Sequence, residues 1–288
     1  MNDSIEMRNR RIYRLIEADD IDQAPKRFRM CIHPADHEGD TTGLAELRAS
    51  ASGQFSRGGL KYMKRVIPEH PITIVDLRQE CHGFVNGKAM SWYGEDNTAN
   101  RGLTREEVLS LEKQNLEGVR QEEKVIFDYL EGKSLLCEEE IEGPRTVQSE
   151  AELAESEGLG YYRFCVTDHH RPPDEVVDQF IQFVKALPDG GWLHFHCRGG
   201  VGRATSFILM YDMMRNADHV SLQDILRRQQ KIGGRDMYRM SPNDGEELYK
   251  AAIDRLDFIR KFYEYCASRH GDYDTGWSEW LHSQRDIS

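Results

Sequence analysis

No apolar run in this sequence approaches the roughly 20 residues that a membrane-spanning helix needs. The longest greasy stretch, Ser206 to Met214, is short and carries Tyr211 and Asp212. The opening residues, MNDSIEMRNRRIYRL, lack the apolar centre of a secretory signal. Either the protein stays where it is made or a leader has been removed, and the sequence is compatible with both. Paired Cys-x-x-Cys motifs are absent. The six cysteines, Cys31, Cys81, Cys137, Cys165, Cys197 and Cys266, are scattered. That excludes a zinc ribbon and the dense disulfide framework of a small secreted domain. Most of them are expected to act as small buried hydrophobes. Positive charge is in deficit: 38 Lys and Arg against 50 Asp and Glu leave a net −12. An acidic chain is a poor general binder of nucleic acid, whose phosphates call for a net basic surface. It can still hold a small anion where local cations oppose the global field.

Gly/Ser-rich and Pro-rich linkers and internal repeats are also missing, so the 288 residues read as one continuous domain. Aromatic residues spread along the whole length exclude a disordered chain. Pro71 to Asp76 reads as a buried strand ending in an acid. Thr104-x-x-Glu107 and Ser149-x-x-Glu152 have the form of capping boxes that open helices. Val125, Phe127 and Tyr129 alternate as in a strand. Tyr161 to Val166 reads as a strand, Asp174 as the cap of an amphipathic helix, and Trp192 to His196 as a short strand. A glycine-rich turn then leads into an apolar helix from Ala204 to about Arg215, with two further helices near 221–232 and 244–268. Strand and helix alternate in this order, which predicts an α/β layer built on a parallel sheet. The mixed stretch 93–158 is a candidate small subdomain.

The informative segment is His196-Cys197-Arg198-Gly199-Gly200-Val201-Gly202-Arg203-Ala204. Its Cys-x5-Arg core is weak by spacing alone, because Cys165 and Arg171 are also six apart. Only the Cys197 copy has strand, glycine-rich turn and helix in order. Gly199, Gly200 and Gly202 permit a tight loop whose amides all point inward. The loop opens a helix, so unpaired N–H groups and the helix dipole meet at one spot. Such a nest binds a phosphoryl group and favours a thiolate, which would make Cys197 a nucleophile. Arg203 is placed to fork onto two phosphate oxygens. The leaving oxygen needs a proton, and Asp168, just past a strand end, is the candidate acid. Two blander readings stay open for the loop: an ordinary turn with a buried cysteine, or an anion site without catalysis. Asp168 could likewise merely cap a turn. His194 and His196 share a strand face but show no zinc spacing. His196 is expected to hydrogen-bond the loop beside the nucleophile. No cofactor or metal is called for.

His-Cys-x5-Arg resembles the protein tyrosine phosphatase superfamily. Asp76-Leu-Arg-Gln-Glu-Cys-His-Gly-Phe-Val-Asn-Gly87, Ser91-Trp-Tyr93 with Asn97-Thr-Ala-Asn100, Thr167-Asp168-His169, Arg228-Gln-Gln-Lys-Ile-Gly-Gly234 and Gly271 to Trp280 narrow it. Together, from about Pro25 to Trp280, they resemble the bacterial tyrosine-phosphatase-like inositol phosphatases, the cysteine phytases. The resemblance implies a phosphatase core, a central mostly parallel sheet flanked by helices, with a small partial β-barrel. It implies stepwise, metal-independent dephosphorylation of inositol hexakisphosphate through a phosphocysteine. Cys197 would be the nucleophile, Arg203 the clamp and Asp168 the acid. Arg198, Gly199, Gly200, Val201, Gly202 and Ala204 would line the phosphate. Asp76, at its strand end, would face the same pocket, and His169, Arg29 and Lys26 would touch substrate phosphates. A basic helix near Lys250 would add a cation.

Two positions depart from the family. Ala204 stands where members usually have Ser or Thr, whose hydroxyl stabilises the leaving thiolate. Thr205 lies about 100° further round the helix. Arg198 stands where members often carry Glu. Family members are often secreted, and no leader is visible. The expected partner is a small polyanion gathered by about half of Lys26, Arg27, Arg29, Arg78, His169, His170, Arg171, Arg198 and Arg228. A phosphoinositide or phosphotyrosine phosphatase and a catalytically weak inositol-phosphate binder remain as alternatives, and the oligomeric state is open.

Overall fold

The computed structural model describes residues 12–32, 39–68, 71–94, 97, 99–131, 134–188 and 190–285. Most of the opening segment discussed above, residues 1–11, and Thr98 of the Asn97–Asn100 motif lie outside them. The strands are β1 (Tyr13–Ala18), β2 (Arg29–Met30), β3 (Ala49–Ser52), β4 (Ile72–Arg78), β5 (His82–Val85), β6 (Lys88–Tyr93), β7 (Lys124–Glu131), β8 (Ser134–Glu142), β9 (Val147–Gln148), β10 (Gly160–Val166) and β11 (Trp192–His196). The helices are α1 (Arg57–Val66), α2 (Arg105–Gln121), α3 (Glu150–Ser156), α4 (Asp174–Lys185), α5 (Gly202–Asn216), α6 (Leu222–Lys231), α7 (Glu246–Ala267) and α8 (Trp277–Arg285).

The central sheet runs β10-β4-β11-β3-β2, parallel except for β2 at its edge. Its strands are short and apolar because helices cover both faces. Along β4 the alternation divides the two cores: Val75 and Leu77 point to the side of α4, α5 and α7, Ile72 and Ile74 to the side of α1 and α3. Every residue of α5 from Arg203 to Met214 is buried, so this helix has no polar face and sits at the centre of the fold. Both capping boxes form, at Thr104 with Glu107 and at Ser149 with Glu152. Pro173, not Asp174, occupies the cap of α4. Asp174 instead accepts from Trp277 Nε1 at 2.9 Å, which ties α8 to the start of α4.

A second sheet runs β8-β7-β1-β6-β5-β9 over its own core of Val85, Leu116, Val125 and Phe127. Three of its strands come from 124–148 and three from earlier in the chain, so it is wider than the 93–158 stretch. In the central sheet, His196 lies in register with Asp76 and Ser52, and Cys197 is the first residue beyond that shared edge. No helix among the described residues is long and apolar enough to cross a membrane.

Candidate active site

The turn between β11 and α5 is the Cys197–Gly202 loop. Gly200 has φ +69°, and a Cβ there would stand 2.3 Å from the Gly53 nitrogen, so only glycine fits. Three successive loop carbonyls are held from outside. Arg198 O accepts from the Gln54 amide at 3.1 Å. Gly199 O accepts from Arg27 and Gly200 O from Arg29, each at 2.8 Å. Oxygens held outward turn the amides of the same peptides inward. α5 begins at Gly202 with no side-chain cap, which leaves its first N–H groups open to an anion. Cys197, 2% exposed, lies at the base of this nest.

Arg203 is buried, and its guanidinium end is committed. Nη1 and Nη2 donate to Glu80 Oε2 and Oε1 at 2.7 and 2.9 Å, and Nη1 also donates to Val166 O at 3.0 Å. Nε makes no hydrogen bond and stands 3.3 Å from Asp168 Oδ1. The edge formed by Nε and the second Nη2 hydrogen is therefore what remains for phosphate. Asp168 follows β10 in a turn, accepts from Asn97 Nδ2 at 2.8 Å and is 20% exposed. Burial, the largest influence, would raise its pKa, but Arg203, His169 and the Asn97 hydrogen bond together hold it below the ordinary carboxylate value. Behind the loop the charges alternate. Arg198 pairs with Glu17 at 2.7 Å, Glu17 with Arg78 at 2.6 Å, Arg78 with Glu80 at 2.8 Å, and Glu80 with Arg203.

A cavity of about 410 Å³ opens beside the loop, lined by His169, Arg235, Ser241, Asn243, Tyr249 and Arg255 among others. Arg255 is only 3% exposed. A Cβ on Gly202 would stand 2.6 Å from its Nη1, which puts its guanidinium against the start of α5. Neither Arg235 nor Arg255 has an ion pair among the described residues. Burial, then the neighbouring Arg235, pushes the Arg255 pKa down to about 10. Burial also lowers His169, against the pull of Asp168.

The structure separates the expected residues. Gly199 to Ala204 form the loop and first helical turn, and His169 faces the cavity. Lys26 is exposed, and its carbonyl, not its side chain, is engaged, by the Gly53 amide at 2.8 Å. Arg29 is buried against the loop, donating to Gly200 O and to Thr205 Oγ1. Asp76 does not face the pocket. β4 runs two residues past it, because Leu77 is drawn into the core, and Asp76 is fully buried, 3.1 Å from Arg163 Nε and accepting from Tyr161 at 2.8 Å. Arg78 and Arg228 are also buried and paired, Arg228 with Asp212. His196 turns away from the loop, its Nε2 2.6 Å from Glu150 Oε1.

Asp76, His82 and Glu150 offer donor atoms within 4.8 Å of one another. His82 Nε2 stands 3.2 Å from Asp76 Oδ2 and 3.3 Å from Glu150 Oε2. Burial, the largest influence, would lower the His82 pKa, but the carboxylates around it, Asp76 foremost with Glu112, together bring the imidazole up to about 10. Glu150 Oε2 accepts from Gln54 at 2.9 Å. The group is an ion-pair network supporting the end of β11.

Sequence reasoning missed Glu80, Arg235 and Arg255 as site residues. Glu80 lay inside a quoted motif without a role. Arg255 did carry a signal: it sits four residues from Ala251 and from Ile259, a charge on the buried stripe of α7.

A family model described as "PTPlike_phytase: Inositol hexakisphosphate" matches residues 75–215. The structure of the PTP-like myo-inositol phosphatase from Mitsuokella multacida, in complex with myo-inositol-(1,3,4,5)-tetrakisphosphate, superposes with a TM-score of 0.91 at 31% identity, covering 95% of this chain and 48% of that one. A PTP-like phytase from Bdellovibrio bacteriovorus superposes with a TM-score of 0.75 at 27% identity, covering 94% and 95%. Among curated proteins, "Effector protein hopD2" of Pseudomonas syringae pv. tomato is 27% identical over 248 residues, 84% of this chain and 53% of that protein. The chain thus spans about half the length of the curated relative and of the Mitsuokella protein.

Proposed function

Because this chain belongs to the protein-tyrosine-phosphatase-like phytases, we propose that it is an inositol polyphosphate phosphatase that works through a phosphocysteine. The substrate is inositol hexakisphosphate and its lower phosphates, and the reaction needs no metal. The observation that carries the substrate class is the pair Arg235 and Arg255, two guanidiniums without carboxylate partners among the described residues, beside a loop built for one phosphate. A monophosphate would leave that charge unanswered; a ring bearing several phosphates answers it.

In this reading the scissile phosphate sits on the inward amides of the loop and on the Nε edge of Arg203. The Cys197 thiolate attacks phosphorus, and the bond to the inositol oxygen breaks. The loop amides and Arg203 hold the charge on the equatorial oxygens. Asp168 gives its proton to the departing oxygen. The free-state ion pair with Arg203 opposes that role, and substrate removes the opposition: a phosphate dianion on Arg203 offsets the guanidinium charge, and Asp168 takes up a proton more easily. Asp168 then accepts a proton from the water that attacks the phosphocysteine, which releases phosphate and regenerates the thiolate. Both sheets serve this one site, since Glu17 of β1 and Tyr93 of β6 hold Arg198.

The test is phosphate release, with EDTA present, from inositol hexakisphosphate, a phosphotyrosine peptide and a phosphoinositide, by the native protein and by Cys197→Ser. Release by the native protein only, fastest on the inositol polyphosphate, is expected. Arg235→Ala with Arg255→Ala should lower kcat/KM on the hexakisphosphate by about tenfold or more, in line with losing two charge-assisted contacts. The loss on a monophosphate should be smaller. A native protein silent on the hexakisphosphate overturns the reading, and preferential turnover of another substrate replaces it.

A further inference from the structure

One amide stands between the two carboxylates that flank Arg203. Asn97 is 4% exposed. Its Nδ2 lies 3.0 Å from Glu80 Oε1 and 2.8 Å from Asp168 Oδ2. An amide nitrogen carries two hydrogens, so it can serve both acceptors at once. The reverse orientation would aim its oxygen at two anions, so the charges fix which way the amide faces. The backbone is built for the task. Asn97 has φ +60°, a left-handed conformation that asparagine tolerates better than most residues. Its N–H donates to Gly94 O at 2.9 Å. Three residues on, Asn100 donates to Gln79 O at 3.0 Å. The turn is therefore anchored to the segment after β4 that also carries Glu80.

Asp168 has few other restraints. Its Oδ1 accepts from the His169 amide at 2.9 Å and faces Arg203 Nε at 3.3 Å. Asn97 is the only side chain among the described residues that hydrogen-bonds Oδ2. With Oδ2 held, only Oδ1 faces that edge, at 3.3 Å; without the bond to Asn97 both oxygens are free to close onto Nε and Nη2 and cover the edge left for phosphate. We infer that Asn97 is a positioning residue: it holds Asp168 at the leaving-group side of the loop by its Oδ2, so that only Oδ1 stands against the phosphate edge of Arg203. This rests on the acid role given to Asp168 above. Asn97 touches no reacting atom in this account; it acts through Asp168 and, by way of Glu80, through Arg203.

The charged groups facing Asp168 are Arg203, Glu80 and His169, with Arg255 of α7. Donation from Asn97 favours the ionised carboxylate, so its removal should move the high-pH limb of kcat upward. The experiment compares the native protein with Asn97→Gly, Asn97→Asp and Asp168→Asn. Glycine keeps the positive φ, and aspartate keeps the shape while removing the donor. Each is assayed on inositol hexakisphosphate, which expels an alkoxide, and on 2,4-dinitrophenyl phosphate, whose leaving group needs no proton. Acid catalysis contributes about 10²–10⁴-fold, so a mispositioned acid should cost about tenfold or more in kcat on the inositol ester. A several-fold smaller loss is expected on the aryl ester, with the limb shifted up in pH. Equal losses on both esters with an unmoved limb would mean a merely structural residue, and a loss below about twofold would mean no role. Absence of leaving-group dependence in Asp168→Asn would instead overturn the acid assignment, and the inference with it.

Discussion

Glu80→Gln is the sharpest test of what holds the site together. Glu80 is buried between two buried arginines. Oε1 accepts from Arg78 Nε at 2.8 Å, from Asn97 at 3.0 Å and from Arg203 Nη2 at 2.9 Å; Oε2 accepts from Arg203 Nη1 at 2.7 Å. A glutamine keeps one acceptor oxygen and points an N–H₂ at Arg203 Nη1, donor against donor. Two buried cations lose their shared anion in the same step. Breaking a buried pair by neutralising one partner costs about 3–5 kcal/mol. At roughly 2–3 °C per kcal/mol for a chain of this size, Tm should fall by roughly 6–15 °C at pH 7. Burial would raise the Glu80 pKa, but Arg203 and Arg78 hold it well below the ordinary value of 4.5. Its contribution is therefore fully present above pH 4.5 and is lost only as pH falls through the depressed value. Thermal unfolding of both proteins from pH 7 to pH 3 should show a gap that persists at pH 4.5 and narrows below it. A shift of less than about 2 °C at pH 7, or a gap that closes already at pH 6, would refute the view that this carboxylate neutralises the clamp.

Gly200→Ala should keep the fold by circular dichroism but cost about 100-fold or more in phosphate release, because the new Cβ would force the loop off Gly53 and Ser52. His82, held up at about 10 by Asp76, should stabilise the protein fully below pH 6.5, with that stability lost as pH rises toward 10. Urea midpoints of the native protein and His82→Gln should therefore converge between pH 6.5 and pH 10. Ala204→Ser should speed hydrolysis of the phosphoenzyme by about tenfold or more if its hydroxyl bonds the departing thiolate, a charged hydrogen bond being worth about 1.5–3 kcal/mol; rapid-quench kinetics would show a smaller burst and a faster steady state.

The parallel core was legible because its signals are local. β4, β10 and β11 are short apolar runs, and α2 and α3 carry capping boxes in plain view. The Cys197–Gly202 loop was legible as a turn from strand to helix because strand, glycines and helix adjoin in sequence. What sequence could not show were pairings across long separations. Arg78, Arg228 and Asp76 looked like site groups because a charge in sequence has no visible partner; each finds one in the folded core. Asp76 was also misplaced by a strand boundary, since nothing in Asp-Leu-Arg says where pairing stops. The opposite error concerns Arg255. It reads as one more charge on a charged helix until folding buries it beside Arg235 without an ion-pair partner among the described residues. β1 and the β5–β6 hairpin escaped because their second-sheet partners lie far along the chain: Leu15 of β1 pairs with Asp128 of β7.

The two departures from the family pattern meet different solutions. The cation at Arg198 is absorbed locally: its Nε pairs with Glu17 at 2.7 Å and its guanidinium lies 4.7 Å over the Tyr93 ring. It is still 31% exposed, so part of its charge faces solvent and substrate. Among the described residues, neither hydroxyl that follows Ala204 donates to Cys197: Thr205 Oγ1 is seated between the Arg29 guanidinium and the Arg235 amide, accepting from both, and Ser206 donates to Gly202 O. What stands near the sulfur instead is positive charge, since Arg29, Arg203 and Arg255 all interact electrostatically with Cys197. In the proposed reaction a departing thiolate would need positive potential more than one particular donor, and these three guanidiniums would supply it. The same field gathers polyanions against a chain of net −12. In the proposed mechanism one set of buried arginines would thereby serve both substrate capture and release of the sulfur, which would account for a site that lacks the usual hydroxyl yet surrounds Cys197 with more cation than one phosphate requires.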